Sequence, residues 1–131
     1  MNKPANTTAL AFMGDAVYEV YIRKHVMESG QQNADRLHRM AVGYVRAEAQ
    51  AKALKKIYDA LSGDEQELVK RARNRKSTSR PQNADPVAYK LATAFEALVG
   101  HLYITGNPER MEEIIRLAVA AIEDADVTGR F

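Results

Sequence analysis

Ala9-Leu10-Ala11-Phe12-Met13-Gly14-Asp15-Ala16-Val17-Tyr18-Glu19-Val20-Tyr21-Ile22 and Leu91-Ala92-Thr93-Ala94-Phe95-Glu96-Ala97-Leu98-Val99-Gly100-His101-Leu102-Tyr103-Ile104 are the two stretches that decide the fold. Neither alternates apolar and polar residues as a strand does, and neither contains proline. Both read as helices that are apolar around most of their circumference, which is the pattern of a buried helix. Asp15 and Glu19 are the only charges in the first, and Glu96 is the only charge in the second. A carboxylate in such a helix is costly unless it is paired or binds a metal. Asp15 and Glu19 are four residues apart and share a face. If the two helices pack together, Glu96 joins them. Crowded carboxylates repel one another, and a divalent cation relieves that repulsion.

The whole chain limits which cation. It has 131 residues and no cysteine, which excludes disulfides, thiolate zinc sites and cysteine nucleophiles. With only three histidines, the ligands would be oxygens, favouring Mg²⁺, with Mn²⁺ able to substitute. A metal held this way acidifies a bound water and neutralises charge on a phosphate. The net charge of +2 says little, but its distribution says more. Lys70, Arg71, Arg73, Arg75, Lys76 and Arg80 fall in one run with no acid among them. Such a run attracts a phosphate backbone by releasing its counterions. An acidic metal site beside a basic loop suits phosphodiester hydrolysis. Against this stand ordinary structural roles: a salt-bridged acid, a Glu19–Arg23 surface pair, and a solvated basic loop.

Working outward, helical signals fill the sequence. The first helix is expected over Thr8 to Ser29, closed by Gly30. Residues 34–61 read as two helices, divided at Gly43. Ser62 with Glu65 forms a capping box that opens a helix to about Asn74. Residues 75–85 read as a polar, basic loop. Asp85-Pro86 starts the next helix, which runs to about Thr105, and Asn107-Pro108 opens a last one ending near Asp126. The expected class is all-α, a single helical-bundle domain over residues 1–131. Met1-Asn2-Lys3-Pro4 lacks the basic start and apolar run of a signal peptide, and no apolar stretch reaches the roughly 18–20 residues of a membrane span. A cytoplasmic protein away from membranes is expected.

Two short motifs carry a family resemblance. Phe12-Met13-Gly14-Asp15-Ala16-Val17 resembles the ribonuclease III signature, Glu-Phe-Leu-Gly-Asp-Ala-Val. Phe95-Glu96-Ala97-Leu98-Val99-Gly100 resembles the family's second motif, Asp-x-Phe-Glu-Ala-Leu-Ile-Gly. Their order and separation fit, and Arg73-Asn74-Arg75-Lys76-Ser77 is similar to the run ahead of the second motif in the short bacterial subfamily, Mini-ribonuclease III. No double-stranded RNA-binding domain follows before Phe131. The resemblance implies a ribonuclease III-type endonuclease domain, active as a homodimer on double-stranded RNA, with one Mg²⁺ site per protomer. It implies 5′-phosphate products and a short 3′ overhang. It also implies precursor 23S ribosomal RNA as substrate, with a large-subunit ribosomal protein as a candidate accessory.

Carried over residue by residue, Asp15 and Glu96 are the catalytic metal ligands. Phe12 matches the position whose ring inserts into the partner protomer, although plain core packing would also account for it. Arg71, Arg73, Asn74, Arg75, Lys76 and Arg80 are candidate RNA contacts, because duplex RNA is read mostly through phosphates and 2′-hydroxyls. Ser77 is a candidate sugar contact. His25, His38 and His101 show no ligand spacing, and Tyr18, Tyr21 and Tyr103 fit core positions. Two departures stand out: Ala11 and Thr93 replace acids of the larger family members. A sparse site with more water on the metal is expected, in which Thr93 could bond such a water and Glu19 could hold another. The same departures motivate an alternative, a non-catalytic RNA-binding protein of this fold. A helical DNA-binding regulator would explain the basic run but not the acids.

Overall fold

The computed structural model describes residues 6–75 and 85–128, with side chains described as far as Asp124. Six helices follow in order: α1 (Thr7–Met27), α2 (Ala34–Val45), α3 (Ala47–Ile57), α4 (Gly63–Asn74), α5 (Pro86–Ile104) and α6 (Pro108–Thr128). A single 3-10 turn, Tyr58–Ala60, links α3 to α4, and no strand occurs among the described residues. The all-α expectation holds.

Local chemistry sets most of the boundaries. Asn6 and Asn33 accept backbone N–H bonds at the starts of α1 and α2, at 2.8 and 3.0 Å. Ser62 and Glu65 close the capping box in both directions, at 3.2 and 2.8 Å. Asp85 caps α5, and Pro86 occupies its first turn. Gly30 and Gly106 take positive φ, 90° and 75°, where the chain turns out of α1 and α5.

One expected boundary moves. The break between α2 and α3 lies at Arg46, whose φ of −66° and ψ of 154° are extended, while Gly43 stays helical within α2. The cause is a side chain from the following helix. Gln50 Nε2 donates to the carbonyl of Val45 at 2.7 Å, satisfying an acceptor that the helix end would leave open.

α5 is the central element and packs against α1, α3, α4 and α6. Ala94, Phe95, Ala97, Leu98 and Val99 on it are fully buried. Full burial of side chains such as Leu98, Val99 and Ile114 stabilises the fold by about 1.5–3 kcal/mol each. Tyr18 of α1 meets Phe95 edge-on, with ring centroids 5.1 Å apart. Polar ties fix the periphery. Arg110 of α6 grips Glu65 of α4 through two hydrogen bonds, at 2.7 and 2.9 Å. Glu123 of α6 accepts from the Tyr44 hydroxyl at 2.6 Å and lies 2.9 Å from His25 Nε2.

The contact that positions the site is the crossing of α1 and α5. It is made through Gly14 and Gly100. A Cβ at Gly14 would overlap the carbonyl oxygen of Glu96, and one at Gly100 would overlap the carbonyl oxygen of Leu10. The two backbones therefore touch with no side chain between them. α1 is not buried all round. Phe12, Val20 and Met27 are 80%, 65% and 60% exposed along it, because only one side of the helix meets α5. Tyr103, expected in the core, is also largely exposed near the end of α5.

Candidate functional site

Asp15 follows Gly14 and Glu96 lies opposite it, so the close helix crossing sets the two carboxylates against each other. Asp15 is exposed, contrary to the expectation that both acids are buried, because it sits at the edge of the crossing. Glu96 is half-buried. Burial pushes the Glu96 carboxyl up to about 8, the neighbouring Asp15 pushes in the same direction, and a hydrogen bond from Gln50 partly opposes them. Gln50 Nε2 lies 3.2 Å from Glu96 Oε2. Tyr18 closes the inner side: its hydroxyl donates to the Tyr44 carbonyl at 3.1 Å, and burial, with Tyr44 and Glu96 nearby, holds it protonated well above the usual tyrosine range.

These residues fit a hard divalent cation. The donors are carboxylate oxygens, and the Glu96 carboxyl, raised first by burial and then by Asp15, is one whose charged form a cation would favour. No group of three His, Cys, Asp or Glu side chains converges among the described residues, so the site is built on the acid pair alone. Ala11 is buried and Thr93 half-buried. The Thr93 hydroxyl donates to the Tyr89 carbonyl, one turn back at 2.9 Å, which commits its proton within the helix. Glu19 pairs with Arg23 at 3.1 Å, the ordinary surface role.

The raised carboxyl has a thermodynamic consequence. From about pH 5 to 8 the unfolded chain ionises Glu96 while the folded chain keeps it protonated. Folding takes up a proton in this window, so stability falls as pH rises, by on the order of a few kcal/mol. Melting curves of metal-free protein should show that fall. Glu96→Gln should flatten it, and Mg²⁺ should stabilise the wild type more at pH 8 than at pH 6. A wild-type curve as flat as the variant's would remove the coupling.

The remaining sequence candidates separate. Arg71, Arg73, Asn74 and Arg75 are exposed at the end of α4, a helix that packs on α5. Lys76, Ser77 and Arg80 lie outside the described residues. Phe12 is 80% exposed, which rules out core packing within one protomer. Gln50 was not among the sequence candidates, yet its signal is visible. It is a polar residue on the stripe Gln50-Leu54-Ile57, whose other members are core.

Comparison with known proteins is consistent across sequence and structure. Residues 8–107 match the Ribonuclease III domain family. The Mini-ribonuclease 3 of Thermoanaerobacter sp. is 47% identical over 115 residues, covering 88% of this chain and 81% of the relative. The Mini-ribonuclease 3 of Enterococcus faecalis is 40% identical over 126 residues, covering 95% and 96%. A protein of Fusobacterium nucleatum with a known crystal structure superposes with a TM-score of 0.79 at 32% identity, covering 89% of this chain and 93% of that one.

Proposed function

The chain belongs to the ribonuclease III family, with Mini-ribonuclease 3 proteins as its relatives, and on that premise of an RNA endonuclease we propose a Mg²⁺-dependent hydrolase of double-stranded RNA that works as a homodimer. The observation that carries the proposal is the opposed pair Asp15 and Glu96, held by a backbone-to-backbone helix crossing. Mg²⁺, when bound, would acidify a water and neutralise charge at the scissile phosphate. Asp15 and Glu96 would hold the ion, their positions set by the backbone contact at Gly14 and Gly100. The exposed cations of α4 bind phosphates on the duplex, together with the basic residues that follow them in sequence. Products would carry 5′-phosphates.

Dimerisation is supported by three exposed apolar side chains on one side of α1, Phe12, Val20 and Met27, which flank the Glu19–Arg23 pair. Such a face is costly in water and suits a second copy related by twofold symmetry, which would bring two sites to one duplex. Precursor 23S ribosomal RNA is the substrate we favour, with a large-subunit ribosomal protein as an accessory. No helix among the described residues is long and apolar enough to cross a membrane, in keeping with a proposed cytoplasmic site of action.

The test is direct. Purified protein incubated with a long RNA duplex and Mg²⁺ should cut both strands, and a chelator should stop it. Manganese should restore cutting. Uncut duplex under these conditions, with binding retained, would favour the non-catalytic alternative that the residues at Ala11 and Thr93 suggest.

A further inference from the structure

Gln50 is the most deeply buried polar side chain among the described residues, and its cap on α2 accounts for only part of its bonding. It is 1% exposed in α3, flanked by the buried residues Ala49, Ala51 and Ala53. Those small residues let α3 approach α5, and the longer glutamine reaches across to Glu96. Its amide nitrogen serves two acceptors at once, the Val45 carbonyl at 2.7 Å and Glu96 Oε2 at 3.2 Å. A carbonyl can only accept, so the Val45 bond fixes which end of the amide is nitrogen. Glu96 must therefore face a donor.

The cost of this arrangement is visible. Gln50 Oε1 is buried and has no hydrogen-bond partner among the described residues. An unsatisfied buried acceptor is destabilising, and an apolar side chain on the same core stripe would avoid it. Local features that spend stability without improving packing cluster at functional sites. Capping the end of α2 explains one of the two donor bonds. It leaves the other unexplained.

We propose that Gln50 is a positioning residue for the candidate catalytic carboxylate, fixing the plane of Glu96 so that it and Asp15 present a preformed seat for the divalent cation. The inference rests on the nuclease function proposed above. In a site with only two matching acids, each ligand carries a larger share of the cation's affinity. Orientation of the half-buried acid then matters more than it would among four. Partners that orient metal ligands typically change metal affinity or activity by about 10–100-fold when removed.

The experiment compares wild type, Gln50→Leu and Gln50→Met, with Asp15→Asn as a ligand-loss control. Mn²⁺ affinity is measured by calorimetry on the protein without RNA. Cleavage of a duplex is then followed as a function of Mg²⁺, and melting curves confirm folding. Both Gln50 variants should bind Mn²⁺ about tenfold more weakly. Their kcat at limiting Mg²⁺ should fall by about 10–100-fold, KM for RNA should stay within about twofold, and excess Mg²⁺ should recover most of the loss. Affinity and kcat within about twofold of wild type in folded variants would overturn the proposal and leave Gln50 as a helix cap. Failure of both variants to fold would also overturn it, by assigning Gln50 to the scaffold. A wild-type protein that neither binds the cation nor cleaves would instead sink the nuclease function itself, and the inference with it.

Discussion

Asp15→Asn is expected to abolish cleavage while leaving the fold and RNA binding intact. The loss should be at least about 1,000-fold in kcat, or about 4 kcal/mol of barrier at 1.36 kcal/mol per factor of ten. A neutral amide lacks the negative charge of one of only two matching carboxylates, so it would hold a hard cation far more weakly. Stability should move the other way. Asp15 raises the Glu96 carboxyl by repulsion, so removing its charge relieves the pair in the metal-free protein. Asp15 is exposed, and the substitution preserves its shape, so no core contact is lost. The combination is diagnostic, because residues kept for chemistry commonly cost stability. Single-turnover cleavage, duplex binding by filter retention and melting curves at pH 8 measure the three quantities. Wild-type activity in the variant would move the chemistry away from Asp15. Lost activity with lost binding or a lowered melting temperature would make Asp15 a structural residue.

How much of this was readable in the sequence depends on which interaction sets each feature. The helices were readable because their ends carry local signals, such as Ser62 with Glu65 and Asp85 with Pro86. Asp15 and Glu96 stood out because a charge in an apolar helix is rare, and the motifs around them supplied a family. The exposed side of α1 was not readable from periodicity, although the motif resemblance singled out Phe12 as an interface position. Periodicity reports that Phe12, Val20 and Met27 are apolar, but not whether their own core or another surface covers them. The break at Arg46 was hidden for a different reason. It is satisfied by Gln50, a side chain from the next helix, and Gly43 offered a more obvious but unused weak point. Glu19 had two open roles, and only the 3.1 Å bond to Arg23 decided between them. Gln50 itself could have been found by applying to α3 the test that exposed Asp15 and Glu96: look for the polar residue on the core stripe.

Alanine at Gly14 should be strongly destabilising, while the same substitution at Gly43 should stabilise. Both glycines lie in helix interiors, where replacing glycine by alanine is worth about 0.5–1 kcal/mol in favour of the fold when nothing else changes. Gly43 meets that condition, since a Cβ there has nothing within 4 Å. At Gly14 the added carbon would enter the space of the Glu96 carbonyl and approach the Gly100 amide. Those obstacles are backbone, which cannot swing aside as a side chain can. α1 and α5 would have to separate along a crossing central to the core, opening the packing of Tyr18 on Phe95. Overpacking ordinarily costs about 1–3 kcal/mol, and a clash of two backbones belongs at or above the top of that range, at about 4 kcal/mol. For a domain of this size that lowers the melting temperature by about 10–20 °C. Gly43→Ala should raise it by a few degrees. Activity should follow the geometry as well as the stability. Even at a temperature where Gly14→Ala remains folded, the displaced Glu96 no longer faces Asp15 at the native spacing, so cation affinity should fall with it. A Gly14→Ala protein as stable and as active as Gly43→Ala would show that the crossing is looser than a direct backbone contact. The two carboxylates would then need some other means of being held together.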